Sequence, residues 1–154
     1  MSPFPAGKIS LPSTGTESTE TKDEGRSLTA ETGKPALVVL LVDDHDGVRG
    51  VTRRLLEREG FDVLEAASGE EALGMARSAP SIDLLLTDVV MPGMAGPDLA
   101  ARMVGEELVS RVVVYSAYSP KGGEVAPDGV QHWTFLSKPF SRAQLSAALA
   151  EVLS

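Results

Sequence analysis

The chain has no cysteine, which removes disulfides, thiolate zinc sites and cysteine nucleophiles and fits a reducing, cytoplasmic setting. It also lacks any apolar run approaching the ~18 residues that a membrane span needs, and its amino terminus carries no signal-peptide pattern. Positive charge is scarce: 14 Lys and Arg stand against 22 Asp and Glu, a net charge of −8. Direct contact with nucleic acid is therefore not expected, because phosphate backbones are bound by basic patches. What is present is 154 residues, the length of one domain with a proper core.

Hydrophobic patterning is missing from residues 1–35, which are rich in Ser, Thr, Glu, Gly and Pro and mix both charges. Such a stretch buries too little apolar surface to offset its ordering entropy and is expected to be a disordered tail or linker. From Ala36 the pattern changes, and residues 36–154 read as one domain. Apolar runs at 37–42, 61–65, 83–87, 111–115 and 133–136 are strand candidates. Between them lie helical stripes. Val48, Val51, Leu55 and Leu56 mark one face, with Gly60 placed to end that helix. Ser68 with Glu71, and Ser141 with Gln144, have capping-box spacing. Pro80 closes the second helix, and Pro97 suits the first turn of the helix carrying Leu99, Met103 and Val104. Leu145, Ala148, Leu149 and Val152 form the last stripe. Five strands alternating with helices predict an α/β fold, a doubly wound parallel sheet covered by helices on both faces. In residues 119–130, Pro120, Gly122, Gly123, Pro127 and Gly129 crowd the place of a fourth helix, which is expected to be short or irregular.

Three strand candidates end in chemistry. Asp43-Asp44 closes the first, Asp88 the third, and Lys138-Pro139 the fifth. Taken singly, each has an ordinary explanation: a solvated acidic pair with Asp46 as a cap, a Pro-Gly turn after Asp88, a plain loop at Lys138. In an open parallel sheet, however, the carboxyl ends of the strands share one edge. Three carboxylates and an ammonium then converge, and closely packed carboxylates repel unless a cation sits among them. Mg²⁺ is the natural ion, with Mn²⁺ a second candidate, and a phosphoryl group its usual companion. Asp88 can serve as a carboxylate nucleophile, Ser116 can donate to a phosphoryl oxygen, and Lys138 can neutralise another.

Residues 36–154 resemble the receiver domain of two-component response regulators. The matching segments are Val39-Leu40-Leu41-Val42-Asp43-Asp44, Asp83-Leu84-Leu85-Leu86-Thr87-Asp88-Val89-Val90-Met91-Pro92-Gly93, Val114-Tyr115-Ser116-Ala117 and Phe135-Leu136-Ser137-Lys138-Pro139-Phe140. The resemblance implies a flavodoxin-like five-stranded sheet in the order 2-1-3-4-5. It makes Asp88 the phosphorylated aspartate, Asp44 a direct metal ligand, Asp43 a second acidic contact and the Val90 carbonyl a backbone ligand. Ser116 takes the place of the switch hydroxyl, Lys138 that of the phosphate-pairing lysine and Phe135 that of the switch aromatic, with core packing an equal reading for Phe135. The Lys138-Pro139 bond is expected to be cis. Val90 and Tyr118 fall where family members tune the lifetime of the phosphoryl group. Trp133 and Tyr115 are read as packing or surface residues, His45 as an exposed loop histidine outside a hard oxygen site, and His132 receives no role.

The function so implied is a phosphoacceptor, not an enzyme of metabolism, which takes a phosphoryl group from a histidine kinase or histidine phosphotransfer protein. No effector sequence follows Ser154, so the expected forms are a free-standing regulator or the receiver of a hybrid histidine kinase. The alternative from another class is a small Mg²⁺-dependent phosphatase of the haloacid dehalogenase type, for which Asp44 and Asp46 supply an Asp-x-Asp pattern. That alternative leaves Asp88 unexplained.

Overall fold

The structure is a computed structural model that describes residues 28–29, 34–79, 81–117 and 126–154. The chain divides into two units, Met1–Ala36 and Leu37–Ser154. In the first, Leu28–Thr29 and Lys34–Pro35 pair antiparallel over two residues each. The second holds five parallel strands: β1 (Val38–Val42), β2 (Asp62–Ala66), β3 (Leu84–Asp88), β4 (Arg111–Ser116) and β5 (His132–Ser137). Their spatial order is β2-β1-β3-β4-β5, the flavodoxin-like order expected from the sequence. Helices α1 (Asp46–Arg58), α2 (Gly69–Ser78) and α3 (Gly96–Gly105) make the first three crossovers, and α4 (Arg142–Leu153) follows β5. No helix among the described residues is long and apolar enough to cross a membrane.

Strand alternation divides the core. Val39, Leu41, Leu84, Leu86, Val113 and Tyr115 face α1 and α4, meeting Leu56, Leu145, Leu149 and Val152. Leu40, Val42, Leu85, Val112 and Val114 face α2 and α3, meeting Leu73, Leu99 and Met103. The three inner strands are buried on both sides, which is why they read as unbroken apolar runs.

Local caps set several helix ends. After α1, the amide of Gly60 donates to the Glu57 carbonyl and that of Phe61 to Leu56. This is the Schellman arrangement, and it needs the left-handed φ of 94° that Gly60 adopts. Ser141 and Gln144 form the full reciprocal box that opens α4. At α2 the box is altered. Ser68 accepts from the Glu71 amide as expected, but the Glu71 carboxylate reaches back to the amide of Ala67. Pro97 stands in the first turn of α3.

In two places the structure adds detail to the sequence pattern. On α1 the buried residues are Thr52 and Leu56, whereas Val48 and Val51 are exposed, Val51 at 52 %. They line an open groove of about 610 Å³ with Leu55, Ala117 and Phe140. Between β4 and β5 the described residues 126–131 carry a turn at Asp128–Gly129 and no helix. The remainder of the expected fourth helix, with Pro120, Gly122 and Gly123, lies outside the described residues, as do Tyr118, Pro80 and most of 1–35.

Candidate functional site

Backbone pairing carries each chemical residue to the end of its strand or one step past it. The Asp43 amide donates to the Ala66 carbonyl at 3.2 Å, Val89 to Tyr115 at 2.9 Å, and Lys138 to Ser116 at 2.9 Å. Asp43 and Lys138 continue the alternation of Val39–Leu41 and Leu136, the residues facing α1 and α4, and Asp88 follows Leu84 and Leu86 in the same way. Asp88 stands directly beside Tyr115 in the ladder. Period-two geometry alone thus brings Asp43, Asp88, Tyr115 and Lys138 to one side of the sheet edge. The Lys138-Pro139 bond is cis, as expected.

Asp43 has no exposed surface and is fully hydrogen-bonded. Its Oδ1 accepts from the His45 amide at 2.9 Å, and its Oδ2 from the Tyr115 hydroxyl at 2.6 Å and from Lys138 Nζ at 3.2 Å. Burial pushes its pKa up, but the Tyr115 hydroxyl, the His45 amide and the Lys138 ammonium together outweigh burial and hold it below the ordinary value. Asp88 is 5 % exposed and fares differently. Burial raises its pKa; Lys138, at 3.5 Å from Oδ2, and the Val90 amide oppose the rise, the charge of Asp43 adds to it, and the net shift is upward. Lys138 Nζ also lies 4.4 Å from the centroid of the Tyr115 ring. Burial and the neighbouring Asp43 carboxylate push the Tyr115 hydroxyl far above its usual pKa, so it remains a donor.

The cluster has the donors a hard cation requires. Asp43, Asp44, His45 and Asp88 each offer one ligand atom, all within 4.8 Å of one another. Asp44 Oδ1 is buried and has no hydrogen-bond partner among the described residues. A buried carboxylate oxygen without a donor, beside a second carboxylate whose ionisation is disfavoured, is the arrangement a divalent ion relieves. His45 is an exposed loop histidine, as expected, close to the acidic pair. Its side chain is largely exposed, but Nδ1 lies 3.4 Å from both Asp43 Oδ1 and Asp44 Oδ1, at the rim of the cluster.

Ser116 is buried at the end of β4. Phe135 is partly buried and packs with Trp133 against the core on the α2 and α3 side. His132 is exposed. Val90 is 65 % exposed, and Tyr118 lies outside the described residues.

Three supporting residues escaped the sequence reading. Tyr115 was assigned to packing or surface, although two-residue alternation from Val113 and adjacency to Ser116 would have placed it under the site. Gly96 amide donates to the Val89 carbonyl at 2.9 Å, and a Cβ there would overlap the Asp88 carbonyl oxygen. No local pattern announces that tertiary contact. Arg49 donates to the Asp43 carbonyl at 2.7 Å, to Asp46 Oδ1 at 2.8 Å and to Glu65 Oε1 at 3.1 Å. Its i,i+3 spacing from Asp46 was the available signal.

Residues 39–150 match the family described as the response regulator receiver domain. The sensor kinase CckA of Brucella abortus is 37 % identical over 116 residues, which are 75 % of this chain and 12 % of that kinase. Against several curated transcriptional regulators, the chain spans between 46 and 56 % of their length. Among solved structures, the receiver domain of the hybrid histidine kinase CckA shares 39 % identity at a TM-score of 0.61, covering 76 % of this chain and 99 % of that one. The response regulator TrrA of Thermotoga maritima, solved in complex with Mg²⁺-BeF, shares 26 % identity at a TM-score of 0.63, covering 75 % of this chain and 98 % of that one. None of these relatives is a haloacid dehalogenase phosphatase.

Proposed function

Because the chain belongs to the response regulator receiver family, we propose that Asp88 is its phosphoacceptor, supplied by a histidine kinase or histidine phosphotransfer protein. The observation that carries this reading is the state of Asp88 itself: buried, opposed by Asp43, and only partly compensated by Lys138 at 3.5 Å. A carboxylate oxygen of Asp88 attacks the phosphorus of a phosphohistidine. The P–O bond forms as the P–N bond breaks, and the imidazole nitrogen leaves with the bonding pair and takes a proton from solvent. Lys138 neutralises one phosphoryl oxygen, and Ser116 donates to another. Catalysis of this kind is largely positioning and charge stabilisation.

Asp43, Asp44, Asp88 and the Val90 carbonyl would hold Mg²⁺, or Mn²⁺ in its place. The ion would supply charge neutralisation among the carboxylates and phosphoryl oxygens. Phosphorylation then biases a protein-interaction surface through Ser116 and Phe135 rather than completing a metabolic reaction. The poorly hydrogen-bonding Val90 and the bulk of Tyr118 tune how long the phosphoryl group survives, by limiting access of water. Residues 36–154 are the signalling unit and 1–35 a tail or linker, working in the cytoplasm. The likeness to the CckA receiver favours a place within a hybrid kinase relay over a DNA-binding regulator.

The test is intact-protein mass after treatment with phosphoramidate and Mg²⁺. The protein should gain one phosphate and Asp88→Asn none; undiminished labelling of the variant would refute the assignment. Continuous turnover of a generic phosphate ester would instead favour the phosphatase.

A further inference from the structure

The Tyr115 hydroxyl and the Lys138 ammonium share one acceptor, Asp43 Oδ2, at 2.6 and 3.2 Å. Lys138 lies closer to Asp43 than to Asp88, which is 3.5 Å away. To engage a phosphoryl group on Asp88, the ammonium has to give up part of its contact with Asp43. Asp43 is fully buried, so an oxygen left without a donor there carries the full desolvation penalty of a charged group. The Tyr115 hydroxyl prevents this, because it stays on Oδ2 when the lysine moves.

The geometry points to Tyr115 as a positioning residue that frees Lys138 for the phosphoryl group by holding Asp43 in its place. The ring contributes as well. Tyr115 is wholly buried, tilted against Phe140 at 5.9 Å between centroids, and offers its face to Lys138 Nζ at 4.4 Å. The ammonium thus has an electron-rich surface beside it along which to shift. A purely structural tyrosine would stabilise the liganded and unliganded sites alike. A residue that releases Lys138 acts only when a phosphoryl group, or its mimic, competes for the lysine.

This inference rests on the phosphoacceptor reading, and the test separates the two. Beryllium fluoride with Mg²⁺ serves as the phosphoryl mimic, its binding followed by ¹⁹F NMR, and Mg²⁺ alone is titrated calorimetrically. Tyr115→Phe keeps the ring and removes only the hydroxyl, and a circular dichroism melt verifies its fold. The dissociation constant for the fluoride complex should rise about tenfold, in line with ~1.4 kcal/mol for a buried acceptor deprived of its donor. The constant for Mg²⁺ without fluoride should move less than about twofold. In a Lys138→Met background the same substitution should cost nothing further, because no lysine remains to be released. Equal fluoride affinity for the protein and Tyr115→Phe, or equal weakening of fluoride and Mg²⁺ binding, overturns the role of Tyr115 and leaves the phosphoacceptor reading standing. Failure of the unsubstituted protein to bind the mimic in the presence of Mg²⁺ overturns both.

Discussion

Asp43 and Asp88 lie within one cluster, are buried almost equally and face the same ammonium, yet their surroundings act on them in opposite directions. The Asp43 corner is complete: a hydroxyl, a backbone amide and an ammonium satisfy the carboxylate and hold its pKa down. The Asp88 corner is incomplete: burial and the charge of Asp43 hold its pKa up, and Asp44 Oδ1 beside it lacks a donor among the described residues. The difference teaches that burial alone does not make a reactive acid. What separates a scaffold carboxylate from a reactive one is the number of donors the fold aims at it.

The two carboxylates should respond to substitution with opposite signs. The largest effect is expected at the backbone that anchors the incomplete corner. Gly96→Ala would push a methyl group into the Asp88 carbonyl, for a loss of about 3 kcal/mol in chemical denaturation. An unchanged midpoint would mean that α3 can shift away freely. Next is Asp43→Asn, measured without metal, which trades an anion bound by three donors for a neutral amide. It should cost about 2 kcal/mol.

Asp88→Asn should go the other way under the same conditions, gaining roughly 1 kcal/mol near neutral pH. The sign follows from linkage. Asp88 holds its proton to higher pH in the folded chain than in the unfolded one, so above its folded pKa ionisation opposes folding, and that opposition fades as pH falls through the folded value. Asp43 is the reverse. Its stabilisation is complete above the unfolded value of 3.8 and is lost as pH falls through its lowered folded value. Destabilisation by Asp88→Asn would break the contrast between the corners.

The smallest effect is expected at the surface, away from both corners. Glu59 also has a lowered pKa, chiefly through the Arg142 guanidinium at 2.9 Å, with Ser146 donating at 3.1 Å. That contact lies at the surface, so Glu59→Gln should cost well under about 1 kcal/mol and less still in high salt. Thermal melts at low and high ionic strength would check this.

The legibility of these features in the sequence follows their physical range. Strands β1, β3 and β4 were readable because burial on both faces writes unbroken apolar runs, and the residues ending them because strand ends share an edge. The capping box at Ser141 and the glycine turn at Gly60 were readable because they are local. The exposure of Val48 and Val51 on the α1 stripe was not readable, since helical periodicity says which residues share a face and not whether anything covers it. Tyr115 and Gly96 were missed for a different reason. For Tyr115, alternation with Val113 marks the face but not the partner 72 positions away at Asp43, whereas the close backbone approach of Gly96 to Asp88 leaves no local pattern.

The most direct measurement is a ¹³C NMR titration of the side-chain carboxyl groups in metal-free protein, with Asp43→Asn and Asp88→Asn used to assign the two resonances. The account predicts that Asp88 titrates above 3.8 and Asp43 below it. Coincident titrations, or Asp43 losing its proton at the higher pH of the two, would contradict it.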